Sequence, residues 1–206
     1  MKPNIETQLK VLFEGYSKFV DGKYLANCSC VLIKSTPNIV IDTLTSWDDE
    51  KLLSALKEEN ISCDDIDYVV CTHGHSDHVG CNHLFKKAVH IVGFSISHKD
   101  CYFTEPDFHS GEEFVINRKV KVIPTPGHTL QDVSVVVDTD NGVVAVTGDL
   151  FEKFEDLEDA GIWKSAGSDS EELQEINRRK ILKLADFIVP GHGPMFKVPQ
   201  HFKEAD

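Results

Sequence analysis

The strongest constraint in this sequence is a recurring pair of features, a short apolar run followed by a polar turn. "NIVI" leads to Asp42, and "YVVCT" leads to His73, His75, Asp77 and His78. "VKVIPTPG" leads to His128, "VVAVTG" to Asp149 and "DFIVPG" to His192. Apolar, β-branched runs bounded by Gly, Pro, Thr or Ser read as buried strands. Each polar residue then stands at the carboxyl end of a strand, on the rim of a rigid sheet. Rim loops let side chains distant in sequence converge on one point.

The segments between these runs complete an α/β pattern. "CSCVLIKS" and "NIVID", separated by "STPN", read as a meander. "SWDDEKLLSALKEEN" changes to a helical period, with Leu52, Leu53 and Leu56 on one face behind Asp48 and Asp49. "VGCNHLFKKA" is expected to be a helix, "VHIVG" a strand, and the stretch 97–113 irregular. Three strands follow, "VKVIPTPG", "DVSVVVDT" and "GVVAVTGD". "SDSEELQEINRRKILKLA" is the best helix, with Ser168 and Glu171 as its expected capping box. "DFIVPGHGP" is a last strand and tight loop. With no repeat or linker to divide it, the chain 1–206 is expected to form one domain of two sheets packed face to face, helices outside.

Charge narrows the partners. A formal net charge of −13 keeps such a protein soluble and gives no overall field to draw nucleic acid or an anionic membrane. A polyanionic substrate would need a local positive site. No apolar run approaches the roughly 18 residues of a membrane span. "MKPNIETQLKVLFEG" lacks a basic stretch followed by an apolar one, so the expectation is a cytoplasmic or nuclear protein, not secreted and without a membrane partner. "RRK" at Arg178–Lys180 is too thin to read as nuclear targeting. Six cysteines are too few for a disulfide scaffold, and reduced, partly buried thiols are expected.

A histidine alone in a Gly/Pro turn is ordinarily a surface group, and an aspartate after Gly an ordinary turn residue. Four strand ends bearing five histidines and two aspartates have a joint reading: two divalent metal ions. Imidazole and carboxylate suit zinc, iron or manganese, and no thiolate stands among the candidates. His73 and His75, two apart, project to one side of an extended segment. Asp77 and His78, where the chain turns into a helix, can aim at a second position. Two such ions can hold a hydroxide formed near neutral pH and polarise the electrophile's oxygen.

"THGHSDH", "TPGHT", "TGD" and "PGHG", in that order, resemble the metallo-β-lactamase fold superfamily over nearly the whole chain. The resemblance implies a four-layer αβ/βα sandwich of two mixed β-sheets flanked by helices, with two metals, most often zinc, on one rim. It implies His73, His75 and His128 as ligands of one metal, and Asp77, His78 and His192 as ligands of the other. Asp149 would bridge both, and Asp42 would support the site from outside. Asp77 would also orient the bridging hydroxide, which gives it a catalytic part. "TGDLFEKFEDLED" and "ADFIVPGHGPMFKV" are similar to one animal branch, described as zinc-dependent endoribonucleases that cleave histone pre-mRNA. Members of that branch are described as homodimers of cytosol and nucleus.

The expected activity is therefore dinuclear metal-dependent hydrolysis, with RNA phosphodiesters as the substrate that the resemblance implies. A glyoxalase II-like thioesterase or lactonase is the alternative with the same site, and an iron-dependent redox enzyme the alternative of another class. Tyr102, Phe103 and Phe108 are expected to pack in the core. His109 is expected at the surface, and His83, His90, His98 and His201 in surface or core roles.

Overall fold

The structure, a computed structural model, describes residues 7–204. The first half supplies β1 (Gln8–Phe13), β2 (Tyr16–Val20), β3 (Lys23–Asn27), β4 (Cys30–Lys34), β5 (Ile39–Ile41), α1 (Asp49–Glu58), β6 (Tyr68–Cys71), α2 (Ser76–Val79), β7 (Val89–Val92), β8 (Ser95–His98) and β9 (Cys101–Phe103). The second supplies β10 (Phe114–Val115), β11 (Val120–Pro124), β12 (Val133–Thr139), β13 (Gly142–Gly148), α3 (Ala160–Ala166), α4 (Glu171–Leu184), β14 (Phe187–Pro190), β15 (Phe196–Lys197) and α5 (Gln200–Glu204). One sheet has seven strands in the order β1-β4-β5-β6-β7-β8-β9, and the other six in chain order from β10 to β15. Both are mixed, with parallel pairs at β5–β6, β6–β7 and β13–β14. The hairpin β2–β3 stands apart as a two-stranded sheet.

Strand alternation sorts the apolar residues into layers. Val31, Ile33, Ile39, Ile41 and Val70 point inward and meet Val135, Val137, Val144, Val146 and Val189 of the other sheet. Between them, Leu32, Val40 and Val69 face outward onto Leu52 and Leu56 of α1. On the far side, Val136, Ala145 and Ile188 face Ile181 and Leu182 of α4. A strand buried on both faces reads as a continuous apolar run, which is why these segments were legible. Each fully buried Val, Leu or Ile contributes about 1.5–3 kcal/mol by leaving water. The architecture is the four-layer αβ/βα sandwich expected of the metallo-β-lactamase fold.

Four local expectations are corrected. Residues 79–88 are not a helix: only Ser76–Val79 and a 3-10 turn at Asn82–Leu84 are helical. Gly80 packs on the backbone of Thr45 and Ser46 there, which fixes a crowded corner instead. The stretch 97–113 is not all irregular, because Ile96 pairs with Phe103 across the β8–β9 hairpin. The cap of α4 is Ser170, which accepts from Leu173 N, while the Ser168 hydroxyl donates to Gly127 O. Leu53 points outward from α1, leaving Leu52 and Leu56, one turn apart, on the buried face. All six cysteines are free, and no helix among the described residues is long and apolar enough to cross a membrane.

Candidate metal centre

Four loops bring the expected donors together on one rim. The β6–α2 loop carries His73, His75, Asp77 and His78, and His128, Asp149 and His192 follow β11, β13 and β14. His75 is still extended, and the helical turn begins at the next residue, so Asp77 and His78 swing away from the His73–His75 pair. His73, His75, His128 and Asp149 form one group of convergent donor atoms, and Asp77, His78 and His192 another.

In the first group, His75 Nδ1 lies 2.9 Å from His73 Nε2 and 3.1 Å from His128 Nε2. Asp149 Oδ2 stands 3.6 Å from His73 Nε2 and 3.4 Å from His128 Nε2. Donors bound tetrahedrally at about 2.0–2.1 Å from zinc lie roughly 3.3 Å from one another, so this spacing fits an ion at the centre. Facing imidazole nitrogens repel unless a proton or a cation lies among them. Burial, then the neighbouring His78, holds His73 well below its usual pKa, and burial lowers His128. Protons are disfavoured, and a metal cation fits.

In the second group, His78 Nε2 and His192 Nε2 lie 3.2 and 3.3 Å from Asp149 Oδ1. Asp77 Oδ2 completes it at 4.0 and 3.8 Å from the same two nitrogens. His78 Nε2 and Asp149 Oδ1 are buried and, despite that approach, neither makes a hydrogen bond. Buried polar atoms without a partner are rare, and a cation between these two would satisfy both. Burial opposes charge on His78 and His192, but nearby carboxylates, Asp149 foremost, outweigh it. They raise His78 well above its usual value and His192 to about 9. Burial also opposes charge on Asp149, yet the histidines around it hold its carboxyl well below the usual range. The pocket thus draws positive charge, and the two oxygens of Asp149 serve both groups.

The supporting contacts leave the right atoms free. His128 Nδ1 donates to Gly167 O at 2.8 Å, and His192 Nδ1 donates to Asn27 O at 3.0 Å. Each Nε2 therefore keeps its lone pair for a ligand. Asp42 sits behind the donors. It accepts from Thr72 N at 2.8 Å and faces His78 Nδ1 at 3.0 Å. Asp132 fixes the turn after His128 by accepting from Thr129 N and Oγ1 at 2.7 and 2.6 Å. Gly191 is required by space: a Cβ there would stand 1.9 Å from Asp149 Oδ1. The Cys28 thiol lies near Asp42 and His78, but burial and then Asp42 push its pKa well up, so it stays a neutral thiol.

A cleft of about 560 Å³ opens over the donors. Its walls include residues not singled out from sequence. Ser17, Phe19, Tyr24 and Ala26 of the β2–β3 hairpin form one side, Ile162 and Ser165 of α3 the other, with Glu152 and Lys153 between. Burial, then Asp149, pushes the Glu152 carboxyl up to about 8. The Asp21-Gly22 pair, both with positive φ, was a readable hairpin signal. A larger groove of about 780 Å³ at the opposite ends of β13 and β14 includes Leu9, Lys34 and Phe187 and holds no donor group. Phe108 is buried as expected, but Tyr102 and Phe103 are exposed edge-strand residues and not core. His83, His109 and His201 are exposed, His98 is half-buried, and His90 bonds Phe85 O. None of these five belongs to a donor group among the described residues.

Comparison with known proteins agrees with this geometry. The family described as the Metallo-beta-lactamase superfamily matches residues 24–192. Metallo-beta-lactamase domain-containing protein 1 of Xenopus laevis is 39% identical over 97% of this chain and 85% of its own length. The human protein of that name is 40% identical over 78% of this chain, and the match spans 59% of the human chain. Among solved structures, a Thermotoga maritima protein assigned to the metallo-beta-lactamases has a TM-score of 0.69 and 27% identity, covering 94% of this chain and 100% of that one. By profile, fold and the disposition of its histidines and aspartates, the chain belongs to the metallo-beta-lactamase superfamily of metal-dependent hydrolases.

Proposed function

We propose that the chain is a two-metal hydrolase that cleaves RNA phosphodiesters within single-stranded substrates such as histone pre-mRNA. The observation that carries hydrolysis is the division of Asp149, with donors of both groups converging on its two oxygens. Two divalent ions, zinc in this reading, would supply an activated water and a Lewis acid for the scissile group. His73, His75 and His128 hold one position, Asp77, His78 and His192 the other, and Asp149 joins them. Asp77 is only partly buried and lines the cleft, so its carboxylate can orient the attacking water and take its proton. Asp42 keeps His78 in the tautomer whose Nε2 is free.

The RNA reading is supported by the sequence likeness to the animal endoribonuclease branch and by cations at the cleft. Lys153 lines it and Lys18 borders it, in a molecule with a net charge of −13. The homodimer and the cytosolic or nuclear location belong to the same reading. The test is turnover of a defined histone pre-mRNA fragment beside a thioester and a lactone panel, with Asp77→Asn as control. Metal-dependent cleavage of the RNA, lost in Asp77→Asn and weakened steeply by salt, supports the proposal. Turnover of esters alone assigns the site to the thioesterase or lactonase alternative, and iron in the purified protein with no hydrolysis assigns it to redox chemistry.

A further inference from the structure

We infer that the Phe19–Tyr24 pair on the β2–β3 hairpin is a stacking platform for the base next to the bond being cut, an inference that rests on the RNA reading. Phe19 and Tyr24 are directly paired across the hairpin, as are Ser17 and Ala26. Directly paired residues, and residues two apart on a strand, share a face. The four side chains therefore form one face of the hairpin, and all four line the cleft that holds the donors. The ring centroids lie 4.9 Å apart at 58°. Phe19 is 62% and Tyr24 74% exposed, so the rings rest on each other and not in the core.

The arrangement has a direction. Asn27, at the base of the hairpin, receives the His192 imidazole, so Ser17 and Ala26 lie on the side of the metals and the rings about 7 Å farther out. A phosphate at the donors meets small residues there, while the base beside it reaches the rings. Lys153 lines the cleft and makes no ion pair among the described residues, whereas Lys18 and Lys23 alternate to the other face of the hairpin, where Lys18 Nζ lies 5.7 Å from the centre of the Tyr16 ring. Among the described residues, Ile162 is the one large aliphatic side chain lining the cleft, beside Ser17, Ser165, Glu152 and Lys153. Open rings beside the Lys153 ammonium match a base on a charged backbone better than a neutral acyl chain. Stacking on such rings is worth about 1–3 kcal/mol per base and tolerates any base.

The test compares two labelled decamers, decaadenylate and an abasic ribose-phosphate chain of equal charge, binding to zinc-loaded Asp77→Asn protein by fluorescence anisotropy. Decaadenylate is expected to bind about 5- to 150-fold more tightly, the span of one stacked base. Phe19→Ala with Tyr24→Ala should erase that preference and leave the abasic affinity unchanged, while Tyr24→Phe keeps it. In the active enzyme the double variant should raise KM for RNA more than it lowers kcat. The exposed positions allow a fold check by an unchanged melting temperature. If the enzyme cleaves RNA yet the double variant binds both decamers as the parent does, the platform alone is overturned. If the enzyme neither binds nor cleaves RNA, the reading beneath it falls as well. Loss of dimer with no change in base preference assigns the rings to a second copy of the chain and also overturns the platform.

Discussion

Arg178 holds Asp156 through two hydrogen bonds, Nη2 to Oδ1 at 2.7 Å and Nη1 to Oδ2 at 3.1 Å, in the interior beside the candidate metal centre. The same guanidinium donates to Leu150 O at 2.8 Å and lies 4.1 Å from the centre of the Phe151 ring. Asp156 also accepts from Glu152 N at 2.7 Å. A planar fork suits this multiple grip in a way a lysine does not. The pair thereby fixes the segment that follows Asp149 and floors the cleft.

Removing one partner leaves a buried charge unpaired. Arg178→Leu is expected to cost about 3–5 kcal/mol, read as a lowered midpoint in urea unfolding. Arg178→Leu combined with Asp156→Leu should cost less than Arg178→Leu alone. A double variant less stable than the single would show that the charge pairing is not what matters.

Much of this was legible in the sequence, for a physical reason. Strands buried on both faces cannot hide their apolar runs, and the loops at their ends cannot hide histidines. Asp42, His73, His75, Asp77, His78, His128, Asp149 and His192 could be read because each closes such a run. Arg178 was invisible: within "RRK" nothing distinguishes a buried guanidinium from two exposed cations. Phe19 and Tyr24 carry no such signal, because an exposed hairpin has no core face to impose alternation. The false helix at 79–88 shows the converse, a permissive composition overruled by the packing of Gly80.

Asp77→Asn and His128→Ala should fail in different ways. Asp77→Asn keeps an oxygen donor in the second group, so it should retain more zinc than His128→Ala while losing about 10²–10⁴ in kcat, the worth of a proton-transfer group. His128→Ala removes a donor of the first group and should lower the zinc content itself. Metal analysis by mass spectrometry beside turnover separates the two. Full activity in either variant would end the assignment.

Chelation should destabilise the protein by mass action. Zinc at one hundred times its dissociation constant adds about 2.7 kcal/mol per site, so a chelator should lower the melting temperature and zinc should restore it. A melting temperature indifferent to chelator and to added zinc would argue against a resident metal.

Asp48 sets a pH dependence one residue removed from the donors, because Asn27, which donates to it, also accepts from His192. Burial pushes its carboxyl up, and hydrogen bonds from Thr45 and Asn27 outweigh this and lower it. A depressed folded value means stability is present above the unfolded carboxylate value, about 3.9, and is lost as pH falls through the lower folded one. Asp48→Asn should therefore be less stable than the parent at pH 6, with the gap closing toward pH 3 in urea titrations. A gap independent of pH would assign the effect to the hydrogen bonds alone.

The contact between His192 and Asn27 spans 165 positions of the chain. Synthesis runs from the amino end, so the hairpin, the four donors of the β6–α2 loop, His128 and Asp149 all emerge before the imidazole that closes the set. A nascent chain short of His192 already carries the first group of donors complete, while the second lacks a member and the hairpin base lacks its clasp. The order of manufacture thus completes one group of donors before the other, and the second waits on the loop that follows β14.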